Sequence, residues 1–133
     1  MKKLLVVLSL LVVFVLAGCS SKKTYEYEIS TVSPLEKVTV TSSLAFHREN
    51  YEKYKLIFAD DGYIYTGNYN EDQKEVRKGS KWEKRGDIIV VIGNRDGEQY
   101  TYQNEYYQLY DDGKYLMEFH YGVTTYTYFY VAE

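Results

Sequence analysis

Cysteine is almost absent from this sequence of 133 residues, since Cys19 is the only one. A single thiol excludes an intrachain disulfide, the device that many small secreted domains use for stability. The two histidines, His47 and His120, are far apart in the sequence, and a zinc site needs three or four ligands. We therefore expect no metal site, and a fold held together by its hydrophobic core and its backbone hydrogen bonds.

Long hydrophobic runs are also missing, with one exception near the N-terminus. Residues 4–16 carry no charge, follow Lys2 and Lys3, and lead into small residues. A basic start, an apolar core of about 7–15 residues and a small-residue end describe a secretory signal peptide. The run is too short for a transmembrane helix, which needs about 20 apolar residues. We predict that residues 1–18 are a signal peptide and that the protein is exported.

The end of this segment, Leu16-Ala17-Gly18-Cys19, resembles the lipobox of bacterial lipoproteins. The resemblance implies that the Cys19 thiol receives a diacylglyceryl group and that a signal peptidase recognises Leu16, Ala17 and Gly18 and cuts before Cys19. Two acyl chains give stable anchoring, at about 0.8 kcal/mol per buried methylene. The alternative is a chance cysteine after an ordinary signal peptide.

The implied location is the outer face of the cell membrane, where the protein is held by its lipid. A disulfide-free composition rich in tyrosine and lysine resembles envelope proteins of Gram-positive bacteria more than periplasmic proteins. Beyond the covalent diacylglyceryl lipid, palmitate being a typical acyl chain, no cofactor is expected.

Positive charge is scarce after the predicted cleavage site. The loss of Lys2 and Lys3 leaves 14 of the 16 basic residues against 19 acidic residues, a net charge of −5. A nucleic-acid-binding domain requires a basic face. We therefore expect no nucleic-acid partner.

Motifs for catalysis are missing as well: there is no nucleophile elbow, no phosphate loop and no dinucleotide fingerprint. The carboxylate pairs at residues 60–61 and 111–112 each precede a glycine, so turn chemistry explains them better than acid–base catalysis. The alternation Asn94, Asp96, Glu98 is too short for a dedicated calcium loop. We predict no catalytic residues, no metal ligands and no enzyme activity.

Apolar and polar residues alternate with period two after residue 35, which indicates β-strands. Asp-Gly turns separate the alternating segments at the spacing expected of a sandwich or barrel. Residues 43–53 fit either a short helix or a strand. We predict an all-β fold, a single antiparallel meander β-barrel of about eight strands over residues 35–133. It follows a signal-peptide helix and a polar tether at residues 19–34, and its last strand closes the barrel.

A second resemblance lies in residues 54–92, about a third of the chain. The segment Phe-Ala-Asp-Asp-Gly-Tyr at residues 58–63 is followed by Gly-Ser-Lys-Trp at 79–82 and Gly-Asp-Ile-Ile-Val at 86–90. This order of hairpin and strands is similar to small lipocalin-like bacterial domains. It implies a barrel without catalytic residues. The chain is shorter than true lipocalins and lacks their N-terminal Gly-x-Trp signature, so the resemblance does not extend to an internal ligand cavity.

Tyrosine is the residue type that stands out, with 17 copies. Tyr126, Tyr128 and Tyr130 share one face of the last predicted strand, and Tyr100 and Tyr102 alternate in an earlier one. Tyrosine combines a large rigid contact area with a polar tip, which suits recognition surfaces. We interpret these five residues as a candidate binding surface, the alternative being the ordinary preference of tyrosine for strands.

Together these features favour a non-enzymatic, membrane-anchored lipoprotein that binds a peptide, a glycan or another envelope protein, and that is itself a monomer. Two alternatives stay open. One is a lipocalin-like carrier of a small apolar ligand, which would need an open interior. The other is an immunity or inhibitor lipoprotein that acts against an incoming peptide or lytic enzyme.

Overall fold

Nine β-strands make up most of the protein in a computed structural model that describes residues 22–29, 36–68, 75–122 and 124–133. The all-β prediction is confirmed for these residues, and residues 43–53 form strand and turn. None of the described residues belongs to a helix that could span a membrane. The predicted signal peptide, the lipobox and Cys19 lie outside the described residues. The strands are β1 (Lys23–Ile29), β2 (Glu36–Arg48), β3 (Tyr51–Ala59), β4 (Tyr63–Asn68), β5 (Glu75–Arg85), β6 (Ile88–Arg95), β7 (Glu98–Tyr110), β8 (Tyr115–His120) and β9 (Tyr126–Ala132).

The predicted Asp-Gly turns connect these strands, as the turn between β6 and β7 illustrates. Asp96 and Gly97 both have positive φ angles, 54° and 85°, which is the conformation that a two-residue type I′ hairpin turn requires. The side-chain oxygen of Asn94 accepts a hydrogen bond from the Gly97 amide at 3.1 Å. Turn chemistry therefore accounts for this group of polar residues.

The sheet closes on itself. Each strand pairs antiparallel with the next from β1 to β9, and β9 also pairs with β2. The closing register places residues 46–48 of β2 opposite residues 130–132 of β9. Strands β2 to β9 thus form a ring of antiparallel pairs, and the last strand closes it, as the sequence predicted.

Strand β1 lies within residues 19–34, which we had interpreted as a tether, so the sheet begins earlier in the chain than expected. It pairs antiparallel with residues 36–42 of β2 and, at its end, parallel with Glu75 and Val76 of β5. Its alternate residues Tyr25, Tyr27 and Ile29 pack into a buried cluster. The intervening glutamates are exposed and gave the segment its polar character.

Two groups of buried side chains stabilise the fold, and they lie on opposite sides of β3. The larger group packs inside the ring and draws on seven of its strands: Phe46, Leu56, Phe58, Ile64, Ile89, Val91, Tyr107, Leu109, Leu116 and Tyr130. The smaller group lies between β1, β2, β3, β4 and β5: Tyr27, Val40, Ile57, Ala59, Tyr65 and Val76. Because successive side chains of a strand point to opposite faces, β3 contributes alternate residues to each core, and all four residues from Leu56 to Ala59 are buried.

Candidate functional site

The five tyrosines predicted as a binding surface do not share one exposed surface in the structure. Tyr130 is only 2% exposed and belongs to the core inside the ring. Tyr128 lies two residues earlier on the same inward face of β9, where the guanidinium of Arg48 sits 3.6 Å from the centre of its ring. Tyr126 is part of β9, but its side chain is outside the described part of the structure. Tyr130 therefore lies in the core, while Tyr128 on the same strand face stays 36% exposed.

Tyr100 and Tyr102 are exposed on the part of β7 that pairs with β6. Their ring centroids are 5.2 Å apart and their hydroxyl oxygens are 3.2 Å apart. A Cβ at the cross-strand neighbour Gly93 would lie 2.5 Å from the Tyr100 ring. The glycine thus allows this ring to lie against the backbone of β6, as part of the β6–β7 hairpin.

A different aromatic surface lies on the outside of β6 to β9, and we call it the outer aromatic face. The strand register places its residues in rows across the strands, because Tyr106 is opposite Phe119 and Met117 is opposite Phe129. Phe129 is 51% exposed and Tyr121 is 45% exposed. The outer aromatic face consists of Ile88, Tyr106, Tyr110, Met117, Phe119, Tyr121 and Phe129, of which Tyr106, Met117 and Phe119 are half-buried. Contiguous exposed apolar surface of this kind marks interaction sites in soluble proteins.

Three rings of the outer aromatic face stack on one another. The centroids of Tyr106 and Phe119 are 4.9 Å apart with an interplanar angle of 17°, and Tyr121 is parallel to Phe119 within 7° at 6.3 Å. The Tyr106 and Tyr121 hydroxyl oxygens are 3.4 Å apart, and this hydrogen bond raises the pKa of Tyr106. The rings therefore cover each other's faces and hold one another in position.

An open groove of about 240 Å³ lies at the other end of this face. The groove is lined by Glu49, Tyr110, Tyr115, Met117 and Phe129, together with the buried Leu116 and Tyr130. The groove is smaller than the roughly 300–1,000 Å³ of pockets that enclose a drug-sized ligand. Its size fits one or two apolar side chains of a larger partner.

A polar cluster lies on the opposite, inward face of the same strands. Glu118 on β8 is 9% exposed, and its carboxylate accepts hydrogen bonds from the hydroxyls of Tyr130 at 2.5 Å and Tyr107 at 3.4 Å. His120 Nε2 is 2.5 Å from Glu118 Oε1 and 3.8 Å from Glu105 Oε1. Burial and the nearby Glu118 carboxylate raise the pKa of Tyr130, so its hydroxyl stays protonated and keeps donating. These hydrogen bonds stabilise the buried Glu118 carboxylate, whose burial without partners would cost free energy.

The sequence analysis missed both the outer aromatic face and the polar cluster, although the sequence of β8 contains a signal for each. Both faces of β8 contain apolar residues, so the alternation alone does not identify which face points inward. One face carries Met117 and Phe119 and continues to Tyr121, and the other carries Leu116, Glu118 and His120. Glu118 and His120 share a strand face because they are two residues apart. The contribution of Glu105 depends on the β7–β8 register, which places it opposite His120.

Comparisons with protein-family models, with curated proteins and with solved structures found no match to this chain.

Proposed function

We propose that this protein is a lipid-anchored envelope lipoprotein without enzyme activity, and that its outer aromatic face binds a peptide segment of a partner protein. The observation that carries the proposal is the set of exposed and half-buried aromatic and apolar residues across β6 to β9, with Phe129 half exposed beside a groove. Aromatic residues and methionine are enriched in the central, buried part of protein interfaces. The outer aromatic face of the monomer therefore has the composition of a surface that binds another protein.

The ring geometry favours a peptide over a glycan. Sugars bind flat on an exposed ring face, but Tyr106, Phe119 and Tyr121 have their faces stacked against one another. This stacking leaves less of the three ring faces free for a sugar, and a groove of side-chain size lies at the other end of the outer aromatic face. An apolar peptide side chain can enter the groove while the hydroxyls bind backbone groups. The net charge of −5 after the predicted cleavage, with Glu49 at the groove edge, favours a basic segment.

The interior of the ring supports a binding module rather than a carrier. A carrier of a small apolar ligand needs space inside the ring, whereas large side chains such as Phe46, Phe58, Tyr107 and Tyr130 pack there. The closed antiparallel ring is consistent with the lipocalin-like barrel inferred from the sequence. We therefore propose a lipocalin-like barrel with a filled interior, which uses its outside for binding.

The predicted lipobox supports the membrane anchor that we propose. Lipidation of Cys19 would hold the mature protein at the outer face of the membrane through two acyl chains, enough for stable anchoring. The test is metabolic labelling with palmitate in cells that express the full chain. Cys19→Ala should abolish labelling and leave an uncleaved precursor, and unchanged labelling would reject the anchor.

The binding surface is tested by photocrosslinking in living cells. A photoreactive phenylalanine analogue at Phe129 should give one discrete adduct with a protein partner, which mass spectrometry identifies. The same analogue at Glu26, exposed on β1, is the matched control and should not give this adduct. Phe119→Ala should weaken the binding of the identified partner at least tenfold, since truncation of a hot-spot residue of an interface costs about 2 kcal/mol or more.

Three results would reject this surface. They are the absence of an adduct at Phe129, the same adduct from Glu26, and unchanged partner affinity in a folded Phe119→Ala protein. Circular dichroism and thermal unfolding of each variant show whether a loss of binding reflects a loss of structure.

A further inference from the structure

We propose that Glu105, Glu118 and His120 form a binding site for one zinc ion at the inward face of β7 and β8. One imidazole nitrogen and two carboxylate oxygens from these residues lie within 4.8 Å of one another. Glu118 and His120 are two residues apart and share a face of β8, and Glu105 joins them because it is opposite His120 in the antiparallel register of β7 and β8. We expected no metal site because His47 and His120 are far apart in the sequence and zinc needs three or four ligands, but two of these ligands can be carboxylates brought to His120 by the strand register.

The distances between the donor atoms fit a common metal ion. His120 Nε2 is 2.5 Å from Glu118 Oε1 and 3.8 Å from Glu105 Oε1. Nitrogen and oxygen ligands bound tetrahedrally to zinc at about 2.0–2.2 Å are about 3.4 Å from each other. The observed separations lie on either side of this value, so side-chain shifts of about an ångström would complete the geometry. The ion would take the place of the Nε2 proton, and the proton would move to Nδ1 of the neutral imidazole or be released to solvent.

The donor types select for zinc over the alkaline-earth ions. Imidazole nitrogen is a preferred ligand of zinc and other transition metals, while magnesium and calcium favour sites made of oxygen alone. Two carboxylates and a neutral imidazole carry two negative charges, which match the charge of the ion. Three protein ligands also leave the fourth tetrahedral position for water or for an atom of a bound partner.

The groups around the three ligands already hold Glu118 in place. The hydroxyls of Tyr107 and Tyr130 donate hydrogen bonds to its carboxylate, and both tyrosines are buried. Outer groups that hydrogen-bond to a ligating carboxylate fix its orientation and strengthen metal binding. Glu105 has a side chain that is 36% exposed, which leaves a path for an ion from solvent.

The hydrogen-bonded cluster described above is the competing explanation, and zinc titration separates the two. The probe is zinc chloride, added at pH 7 to the full chain in detergent after treatment with a chelator. The chain carries Cys19→Ala, so that no thiol competes for the metal, and it is purified without a histidine tag. Calorimetry should show one zinc ion per chain with a dissociation constant in the micromolar range or below, and thermal unfolding should shift upward with zinc.

Two variants and one control assign the ion to its ligands. Glu105→Gln keeps the size of a partly exposed side chain and should weaken zinc binding at least tenfold with little change in unfolding temperature without metal. His120→Gln should abolish binding. His47→Gln alters the other histidine, on β2 outside the cluster, and should leave zinc binding unchanged.

The proposal is overturned by any of three outcomes. The chain does not bind zinc, or Glu105→Gln and His120→Gln bind it as tightly as the parent chain, or magnesium chloride produces the same response as zinc. Because each variant is compared with its own unfolding temperature in the absence of metal, a misfolded variant is recognised. Glu105→Asp then provides a second, conservative change that should retain intermediate affinity.

Discussion

Lys55 on β3 and Glu133, the residue after β9, form an ion pair in which Lys55 Nζ lies 2.5 Å from Glu133 Oε1. The hydroxyl of Tyr25 on β1 donates to the other carboxylate oxygen, and the Glu133 amide donates to the Ala45 carbonyl oxygen at 3.0 Å. One residue thus connects the end of β9 with the three consecutive strands β1, β2 and β3. Both charged side chains are less than one-fifth exposed, which reduces screening by solvent.

The pH dependence of stability should report on this ion pair. Burial acts to raise the pKa of Glu133, but hydrogen bonds from Lys55 and Tyr25 outweigh it and place the pKa below its usual 4.5. A lowered carboxyl pKa stabilises the folded state above the pKa of the unfolded chain, and the effect is lost as the pH falls through the folded pKa. Glu133→Gln should therefore cost about 1.5–3 kcal/mol at pH 7, the range for hydrogen bonds to charged groups. The difference from wild type should shrink below about pH 4.5.

Urea unfolding at a series of pH values measures this difference. Glu52→Gln, on the exposed part of β3, is the matched control and should have little effect at any pH. A Glu133→Gln difference that is the same at pH 7 and at pH 3 would contradict the linkage.

The two cores predict an unusual result for neighbouring residues of β3. In a sheet with one wet face, only every second residue is sensitive to truncation, but Leu56 packs inside the ring and Ile57 packs under β1. Leu56→Ala and Ile57→Ala should each lower the free energy of unfolding by about 2–5 kcal/mol. Chemical denaturation measures both values. Lys53→Ala, exposed on the same strand, is the control, and a tolerated Ile57→Ala would show that β1 does not cover this face.

Much of the fold was accessible from the sequence because turn chemistry is local. The Asp-Gly and Gly-Asp turns identified the hairpins, and period-two alternation identified the strands between them. Strand β1 was missed because its exposed Glu26 and Glu28 hide the inward alternation of its tyrosines. Its partners, β2 and β5, are set by packing that no local pattern encodes.

The candidate sites were less accessible, since they depend on which face of each strand is buried. On β9, Tyr128 and Tyr130 alternate with Phe129 and Val131, so both faces are apolar in the sequence. The ring buries Tyr130, whose hydroxyl donates a hydrogen bond to Glu118, and leaves Phe129 outside. A buried tyrosine needs a hydrogen-bond partner for its hydroxyl, and the Glu118 carboxylate provides one for Tyr130. The alternation of residues within one strand does not predict this contact, because the two residues lie on different strands.

The close approach of β4 and β5 makes Gly67 intolerant of a side chain. A Cβ at this position would lie 2.2 Å from the Glu75 carbonyl oxygen and 2.9 Å from the Val76 Cα, both backbone atoms that cannot rotate away. Gly67→Ala should destabilise the protein by about 1–3 kcal/mol or more, the cost of overpacking. Gly122→Ala is the control, because a Cβ there meets no atom within 4 Å. Equal thermal unfolding temperatures for the two variants would show that the β4–β5 spacing is wider in solution.

Closure of the ring by β9 is the last feature to test, and deletion of residues 125–133 is the direct experiment. The deletion removes the β9 side of the pairing of β8, which stays paired with β7, and it exposes residues 46–48 of β2. It also removes Tyr130 from the core and leaves Glu118 without its closest hydroxyl donor. Because unpaired edges promote aggregation, we expect an insoluble or rapidly degraded product. Phe129→Ser changes an outward side chain of the same strand and should stay soluble, so the comparison separates loss of the strand from loss of its surface. A soluble truncated chain with cooperative unfolding would mean that β8 and β2 can stand as edges without β9.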